Sequence, residues 1–428
     1  MIQTFEEAVS WIHGRLRLGI KPGLERMEWM MERLGNPHLK INAVHIGGTN
    51  GKGSTLSFLR NILEEGGYSV GTFTSPYFEV FNERISVNGK PASEEDWTSL
   101  VNKIKPLADE LEEHELGGPT EFEVITAMMF YYFGEVQQTD YVLIEVGLGG
   151  RFDSTNIVRP VCSCITSIGL DHVNILGHSY EEIAFEKAGI IKEGVPLVFN
   201  VRHSGAREVI LTQAEKMNAP VYELGEQFHV QIEKTDSEGE MFSYNSNIQL
   251  KTSMSGAHQV ENASLAVTIA KLTEPKLNRN IIQTGIEKTF WPGRFEKISE
   301  NPLVIMDGAH NPEGIDTMMQ TIHEKYPEKH VHFIFAAVSD KDLTNMISKL
   351  DQHADRITFT SFDFPRAADA KSLYELSNHK NKQAIENTEW MTELNQSDDT
   401  LYMITGSLYF LSGIYKDLKH LLKADHEH

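Results

Sequence analysis

A glycine-rich turn between an apolar run and a helix-like segment constrains the fold of this chain more than any other feature. Residues 45–59 read HIGGTNGKGSTLSFL, directly after the apolar run INAV. In such a unit, glycine lets the backbone approach a phosphate, and the helix N-terminus offers free N–H groups. The turn departs from the G-x-x-x-x-G-K-[ST] pattern because Gly53 follows Lys52 and the hydroxyl comes later, at Ser54. A turn without a ligand explains the glycines but not the lysine and hydroxyl together, so we predict a nucleotide site.

The same rhythm of apolar runs and helix-like segments continues over most of the chain. Further runs are DYVLIEVG, VCSCITSI and VPLVFN, with amphipathic segments such as SYEEIAFEKAGIIK between them. Their nearly continuous apolar character predicts strands that are buried on both faces, as in a parallel sheet. The sequence therefore predicts an α/β fold with a mostly parallel sheet.

This alternation of apolar runs and helix-like segments is interrupted after Phe228. The polar, alternating residues 230–253 predict a small antiparallel excursion at the surface. FWPGRFEKISENP has the composition of an interdomain connection, and strand-like runs such as PLVIMDGAH and HVHFIFAAV follow it. We therefore predict two domains, residues 1–297 and residues 298–428, of which the second is long enough to be a separate Rossmann-like domain.

Composition excludes several classes of protein. The 428 residues carry a formal net charge of -22, which argues against a general nucleic-acid binder. The two cysteines, Cys162 and Cys164, lie in a strand-like run and are expected to be small buried residues. No segment approaches the roughly 20 apolar residues that cross a bilayer, and the N-terminus lacks the apolar core of a signal peptide. We expect a cytoplasmic monomer without membrane or nucleic-acid partners.

Two clusters of polar residues come directly after apolar runs of the first half. Glu145 ends one run, and Asp171 and His172 follow another. Ligands of open α/β sheets gather at the carboxyl ends of the strands, and a carboxylate oxygen suits Mg²⁺. With the phosphate turn, Glu145 predicts a metal site. Mg²⁺ prefers oxygen ligands, so His172 alone would be structural, and Lys187 alone would be a surface cation of its helix.

The remaining candidates lie near the predicted domain boundary. MDGAHNPEG places Asp307 and His310 after a strand and at the start of a helix. A helix cap explains part of this polar cluster but not the whole of it. GAHQVENASLA places His258 and Asn262 one helical turn apart on one face. Arg294 lies in the predicted connection, from which it could reach a phosphate across the cleft.

Eight motifs resemble, in order, those of one family. They are GGTNGKGST, TSPYFEVFNERI, EVGLGGRFDSTN, SIGLDHVNILG, EKAGIIK, HQVENA, PGRFE and DGAHNP. Together they resemble the folylpolyglutamate synthase/dihydrofolate synthase group of the Mur ligase superfamily, whose phosphate loop has the shape G-T-N-G-K-G-[ST]. The resemblance covers almost the whole chain. It implies a P-loop-type, mostly parallel sheet domain like the central domain of Mur ligases, followed by a smaller C-terminal Rossmann-like α/β domain.

The resemblance also implies the chemistry. In this family ATP phosphorylates a carboxylate of a pterin-bearing substrate, dihydropteroate or a reduced folate, and the α-amine of L-glutamate displaces phosphate from the acyl phosphate. A carboxylate is a poor acyl donor, and phosphorylation gives it a good leaving group. Two anions must then be held together while cations absorb their charge. The implied cofactors are ATP and Mg²⁺, with two magnesium ions expected.

Individual residues match functional positions of the family. Those that match phosphate- and ATP-contacting positions are Gly51, Lys52, Gly53, Ser54, Asn262, Arg294 and Asp307. Those that match magnesium ligands are Ser75, Glu145 and His172. Lys187 matches a lysine whose carbamylation makes it an anion able to bind a second metal, and His310 matches a residue near the reacting groups; with Lys52 they are the candidate catalytic residues. Those that match pteroate- or folate-binding stretches are Thr120, Glu121, Phe122, Glu123, Phe152, Asp153 and Ser154.

Two other functions are compatible with a nucleotide site. A Mur-type ligase of peptidoglycan precursors keeps the superfamily and changes the substrate, but the PTEFE and GLGGRFDSTN segments argue against it. A non-catalytic nucleotide-binding switch protein would need neither the intact DGAHNP segment nor the complete set of candidate metal ligands. The sequence leaves open whether the chain makes dihydrofolate, lengthens polyglutamate tails, or does both.

Overall fold

The chain folds around two large β-sheets, each covered by helices. The computed structural model describes residues 1–19, 21–236, 238–394 and 399–424. In the first sheet the strand order is β4-β3-β2-β5-β1-β6-β7-β8, and all pairs are parallel except those made by β3. Its strands are β1 (Ala43–Gly47), β2 (Val70–Phe73), β3 (Ile85–Val87), β4 (Lys90–Pro91), β5 (Tyr141–Glu145), β6 (Cys162–Ile165), β7 (Leu197–Phe199) and β8 (Val221–Glu223).

A small antiparallel sheet follows the first one in sequence. Its strands are β9 (Val230–Asp236), β10 (Gly239–Tyr244) and β11 (Ile248–Thr252), in the order β11-β10-β9. The antiparallel excursion predicted over residues 230–253 is therefore confirmed. One face of this sheet is apolar, and Phe242 and Tyr244 join the same buried cluster as residues of the first sheet.

The second large sheet begins at residue 296. Its order is β12-β13-β17-β14-β15-β16, and only the pair of β12 with β13 is antiparallel. Its strands are β12 (Glu296–Glu300), β13 (Leu303–Asp307), β14 (His330–Phe335), β15 (Arg356–Phe359), β16 (Lys382–Ala384) and β17 (Thr400–Thr405). The boundary predicted at residue 298 falls inside β12, and the division into residues 1–297 and 298–428 stays a prediction.

Helices cover both faces of the two large sheets. The α-helices are α1 (Phe5–His13), α2 (Glu25–Arg33), α3 (Lys52–Glu65), α4 (Glu94–Glu113), α5 (Glu121–Tyr131), α6 (Val173–Leu176), α7 (Tyr180–Lys187), α8 (Ser204–Lys216), α9 (Ala257–Thr273), α10 (Arg279–Glu287), α11 (Pro312–Lys325), α12 (Leu343–His353), α13 (Ala370–Leu376) and α14 (Leu408–Ala424). In the part of the chain that the structure describes, no helix is long and apolar enough to span a membrane.

The strands are apolar on both sides because both sides are covered. Every residue of β5 is buried. Val142 and Ile144 belong to a core with α4 and α5, while Leu143 belongs to a second core with α3 and α9 on the opposite face. Successive side chains of a strand alternate between the faces, so a strand covered on both sides is apolar along most of its length, and in β5 Glu145 is the exception at the carboxyl end. The predicted α/β fold is confirmed.

Candidate active site

A cleft between the two large sheets collects the carboxyl ends of their strands. β1 ends just before the glycine-rich turn, β5 ends at Glu145, and β13 of the second sheet ends at Asp307. The cavity there has a volume of about 570 Å³. Every residue predicted to contact ATP, metal or the reacting groups lines it: Gly51, Lys52, Gly53, Ser54, Ser75, Glu145, His172, Lys187, Asn262, Arg294, Asp307 and His310.

The glycine-rich turn is shaped by close approach of its neighbours. Gly51 has a φ of 90° and immediately precedes α3. A Cβ atom at this position would collide with the side-chain oxygen of Asn262, which also accepts a hydrogen bond from Thr55 Oγ1 at 3.4 Å. Gly51 is therefore required both by its left-handed backbone and by the packing of α9 against the turn. Residues that are distant in sequence thus form one surface at the N-terminus of α3.

Two lysine side chains converge on one carbonyl oxygen of the turn. Lys52 Nζ donates to the oxygens of Gly48 (3.1 Å) and Thr49 (3.0 Å), and Lys187 Nζ donates to the same Gly48 oxygen at 3.0 Å. Burial, together with the charge of Lys52, lowers the pKa of Lys187 to about 7. Burial also lowers the pKa of Lys52. Lys187 is therefore not the surface cation that its helix alone suggested, and an anion in the cleft would relieve repulsion between two poorly solvated cations.

The Glu145 carboxylate and Ser75 lie together on one wall of the cleft. Glu145 Oε2 accepts a hydrogen bond from the backbone N–H of Ser75 at 3.2 Å. Burial raises the pKa of Glu145, and the charge of Lys52 opposes that shift. Arg84 donates to the Ser75 hydroxyl at 3.4 Å. The cleft thus presents a buried carboxylate beside a hydroxyl, which are hard oxygen donors.

His172 lies in a second polar group, which contains a residue of the second sheet's unit. Lys341 Nζ donates to Asp171 Oδ1 at 2.6 Å and lies 3.4 Å from His172 Nε2. Burial alone would raise the pKa of Asp171, but His310 and Lys341 hold it well below its usual range. Burial, with the Lys341 charge, lowers the pKa of His172 to about 4, so its imidazole is neutral at neutral pH. A neutral imidazole is the form that can bind a metal.

The chemistry of the donors suits Mg²⁺ on the Ser75–Glu145 wall. Mg²⁺ takes one or two carboxylates and completes its coordination with water and substrate phosphates. Among the described residues, no group of three or more His, Cys, Asp or Glu side chains is arranged to hold a metal ion. The donor atoms therefore fit an ion that arrives with a phosphate ligand rather than one held by the protein alone. The assignment of Ser75, Glu145 and His172 as ligands stays a prediction.

Arg294 and Asp307 form the wall contributed by the second sheet. Asp307 accepts backbone hydrogen bonds from Phe295 at 2.8 Å and from Ala309 at 2.9 Å, so its carboxylate shapes the edge of the sheet. Burial raises the pKa of Asp307, and Arg294 opposes the shift. Burial lowers the pKa of Arg294, while Asp307 and Glu145 favour its charged form. The guanidinium is thus influenced by carboxylates from both sheets.

Several side-chain contacts cross the cleft that the motifs alone did not predict. The amides of Asn50 and Asn311 exchange two hydrogen bonds, at 3.2 and 3.0 Å. Glu313 Oε1 accepts from Leu170 N at 2.9 Å and from the Tyr180 hydroxyl at 3.1 Å. Together with the Lys341–Asp171 pair described above, these contacts join the two sheets' units. The sequence does carry a signal for Lys341, because the charged stretch SDKD follows the apolar run of β14 at the carboxyl edge of the sheet.

The residues predicted to bind the pterin lie outside the lining of this cleft. Thr120 and Glu123 form the capping box of α5, and Glu123 Oε1 also accepts from Arg26 Nε at 2.8 Å. Their side chains are therefore committed to the start of a helix and to a buried ion pair. Glu121 instead pairs with half-buried His13, with 3.0 Å between Glu121 Oε1 and His13 Nδ1. The half-buried Phe122 ring packs 5.8 Å from the ring of Phe73.

The second predicted pterin segment shows the same division. Asp153 is buried, and its carboxylate accepts from Leu148 N at 2.8 Å and from Thr155 N at 3.0 Å. Ser154 is buried beside it, whereas the Phe152 side chain is 51% exposed. The segment therefore presents an aromatic ring to solvent and keeps its carboxylate for the loop. The substrate-binding roles of these residues stay predictions.

Known families match both halves of the chain. The profile of the Mur ligase middle domain matches residues 46–270, which include the glycine-rich turn and Asn262. The profile of the Mur ligase glutamate ligase domain matches residues 293–408, which include Arg294, Asp307 and His310. The walls of the cleft therefore come from two segments of the chain, and each segment matches a different domain family of the Mur ligases.

Individual relatives match over nearly their whole length. The dihydrofolate synthase/folylpolyglutamate synthase of Bacillus subtilis (strain 168) is 47% identical over 98% of this chain and 100% of its own. Mycobacterium tuberculosis folylpolyglutamate synthase, solved with ADP and AMPPCP, is 26% identical with a TM-score of 0.88 over 97% of this chain and 99% of its own. E. coli FolC, solved with DHPP and ADP, is 27% identical with a TM-score of 0.85 over 97% and 98%. This chain belongs to the folylpolyglutamate synthase/dihydrofolate synthase family of Mur ligases.

Proposed function

We propose that this chain is an ATP-dependent ligase that joins L-glutamate to the carboxylate of a pterin-bearing substrate, dihydropteroate or a reduced folate. One observation carries the proposal: Lys52 and Lys187 both donate a hydrogen bond to the Gly48 carbonyl oxygen. The same cleft is lined by Arg294 and Asp307 from the second sheet's side. Both buried ammonium groups donate their hydrogen bonds to neutral carbonyl oxygens rather than to a carboxylate, which favours an anionic ligand beside them. Relatives solved with ADP support a nucleotide as that ligand.

The proposed reaction has two steps. The substrate carboxylate attacks the γ-phosphorus of ATP, the bond to ADP breaks, and an acyl phosphate forms. The α-amine of glutamate then attacks the acyl carbon and releases inorganic phosphate, so that an amide bond replaces the acyl–phosphate bond. Both steps bring anions together, and positioning with preorganised cations supplies most of the acceleration.

Each wall of the cleft has a task in this scheme. The N–H groups at the start of α3 and the ammonium of Lys52 hold the transferring phosphoryl group. Arg294 reaches phosphate from the opposite wall, and Asn262 and Asp307 contact the remainder of the nucleotide. His310, whose Nε2 lies 3.7 Å from Asp171 Oδ2 in the cleft, is proposed to orient the glutamate amine near the acyl group.

Mg²⁺ is the proposed metal, held by Ser75 and Glu145 on one wall and by His172 on another. When bound, it neutralises phosphate charge during transfer. Lys187 is proposed to be carbamylated. Its pKa of about 7 leaves a large share of the amine neutral near neutral pH, and the neutral amine is the form that reacts with CO₂. Carbamylation would replace the second of two repelling cations with an anion.

The pterin is proposed to contact the residues of the two segments that are not fully buried. Exposed Phe152 and half-buried Phe122 offer aromatic surface, and half-buried Glu121, which pairs with His13, offers a carboxylate in the same region. Thr120, Glu123, Asp153 and Ser154 hold these segments in place through the contacts described above.

A paired assay tests the proposal. Phosphate release is measured with ATP, Mg²⁺ and L-glutamate, with dihydropteroate in one reaction and tetrahydrofolate in the other. Turnover in both establishes a bifunctional enzyme, and turnover with tetrahydrofolate alone establishes an enzyme that only lengthens the glutamate tail. The absence of turnover with every pteroate and folate, together with turnover on a UDP-linked peptide precursor, would refute the proposal in favour of a Mur-type ligase.

A further inference from the structure

A fully buried ion pair lies at the end of α11 that is remote from the predicted reacting groups. Lys325, the last residue of α11, has its Nζ 3.4 Å from Oε1 of Glu240 on β10 of the small sheet. The two side chains are only 2% and 1% exposed. The pair joins the small sheet to the unit of the second large sheet, and none of the family motifs contains either residue.

Both charges are satisfied by hydrogen bonds. Besides Glu240, Lys325 Nζ donates to the carbonyl oxygen of Asp236 at 2.7 Å and to Ser255 Oγ at 2.9 Å. The Glu240 carboxylate accepts from Gly256 N at 2.8 Å and from Thr235 Oγ1 at 2.6 Å. A buried pair of this kind seldom stabilises a fold more than apolar side chains of the same size would. The contribution of the Lys325–Glu240 pair therefore lies in the geometry that it fixes rather than in stability.

The partners of the pair fix the start of α9. Ser255 and Gly256 immediately precede this helix, and each bonds to one member of the pair. A Cβ atom at Gly256 would lie 2.6 Å from Thr321 Oγ1 of α11, so the backbone here lies directly against that helix. The first turns of α9 carry His258 and Asn262, which line the nucleotide cleft.

The opposite end of α11 borders the same cleft. Asn311, the N-cap of the helix, bonds to Asn50 of the glycine-rich turn. The 14 residues of α11 span about 21 Å at the rise of an α-helix. One helix thus connects the glycine-rich turn at one end with the buried ion pair at the other. The position of α11 relative to the glycine-rich turn and to the start of α9, and with it the shape of the cleft, depends on contacts at both ends of this helix.

We propose that Lys325 and Glu240 are positioning residues for the nucleotide: they hold the first turn of α9 against α11 and so set the wall to which the nucleotide binds. The inference rests on the proposed nucleotide site. It predicts that changes to the pair alter nucleotide affinity although neither residue touches the cleft.

The test compares nucleotide affinity with stability in the full-length protein. Lys325→Met/Glu240→Met removes both charges and keeps apolar bulk, so we expect the protein to fold, with a melting temperature a few degrees lower because the buried Gly256 N–H loses its acceptor. We expect ADP affinity measured by calorimetry to fall by about tenfold, within the range for coupled residues outside a binding site. The KM for ATP should rise by a similar factor while kcat changes by less than about twofold.

Two single variants keep the test decisive if the double variant does not fold. Ser255→Ala leaves the ion pair intact and removes one of its links to α9, so we expect weaker ADP binding. Thr235→Val removes a hydrogen bond of the other member of the pair, the Glu240 carboxylate, without touching α9, and should bind ADP as the wild type does.

Wild-type ADP affinity in the folded double variant, or in Ser255→Ala if the double variant does not fold, would overturn the inference. Calorimetry measures ADP binding without turnover. A wild-type protein that binds ADP but ligates no glutamate would therefore refute the proposed ligation, and the comparison of ADP affinity between wild type and variants would still test the role of the ion pair.

Discussion

The nucleotide cleft and the predicted pterin segments use their polar side chains in opposite ways. In the cleft, the ammonium groups of Lys52 and Lys187 donate to backbone carbonyls of the turn, and they remain available to a ligand. In the pterin segments, the carboxylates of Glu123 and Asp153 are bonded within the protein. The side chains that remain available there are aromatic.

The difference follows from what each ligand requires. A triphosphate needs several positive groups, and the cleft buries Lys52 and Lys187 at a desolvation cost that the nearby carboxylates do not fully offset. A flat heterocycle is bound mainly by apolar contact and a few polar groups, so a firm scaffold for the aromatic rings matters more. Polar residues in the two regions should therefore respond differently to substitution: loss of turnover in the first, loss of stability in the second.

The largest expected effect is on turnover in the cleft. Lys52→Ala should lower kcat/KM for phosphate release by about 10³-fold, since a preorganised group that faces developing charge is lost. Its melting temperature should not fall, because a poorly solvated cation is removed. Lys349→Ala, which breaks the exposed Lys349–Asp316 pair, serves as the control and should retain full activity. Normal turnover in folded Lys52→Ala would contradict the phosphate-binding role.

The next effect is on stability in the pterin segments. Glu123→Gln should lower the free energy of unfolding by about 3 kcal/mol, because Arg26 is left as a buried charge without its partner. The measurement is urea denaturation, with Glu135→Gln at the exposed Lys40 pair as the control. If Glu123→Gln were as stable as the wild type and only raised the KM for pterin, the contrast between the two regions would be wrong.

A smaller effect is expected at an exposed ring. Phe152→Ala should raise the KM for the pterin substrate by about tenfold, the loss expected for one aromatic contact of ~1–1.5 kcal/mol. Its melting temperature should not change, because the side chain is 51% exposed. Phe290→Ala, at a ring that is 50% exposed, is the matched control. An unchanged KM in Phe152→Ala would remove this residue from the pterin site.

The smallest effect concerns pH. Lys187 is protonated below its pKa of about 7 and neutral above it, so its reactive fraction increases from pH 6 to pH 8. At a fixed concentration of dissolved ¹³CO₂, the carbamate signal in ¹³C NMR should rise several-fold over this range. Lys187→Arg should show no signal. A signal that does not change with pH, or one that persists in Lys187→Arg, would assign the carbamate elsewhere.

The glycine-rich turn shows how much of the site could be predicted from sequence. Its place between a strand and a helix follows from local pattern, and so does the position of Glu145 at the end of β5. The burial of Lys187 was not predicted from its own helix, although Ile183 and Ala184, one turn earlier on the same face, are buried as well. It depends on the Gly48 carbonyl, which is 139 residues away in the chain.

Long-range polar contacts were the least predictable. The Asn50–Asn311 amide pair and the Lys341–Asp171 pair join residues that are 261 and 170 positions apart. Nothing in the local pattern of either partner indicates the other. The Lys325–Glu240 pair is of the same kind, because each residue alone reads as an ordinary charged residue of a helix end or a strand.

The sequence by itself determined the α/β class, the phosphate-binding turn and the family, because these depend on periodicity and on residues that are contiguous in short motifs. The tertiary structure alone decided which polar groups face a ligand and which hold the scaffold. Glu123 and Glu145 are both buried carboxylates, and only the position of Arg26 beside the first and of the open cleft beside the second separates their roles. The physical reason is that a charge takes its function from the groups that surround it in space, and most of those groups are distant in the chain.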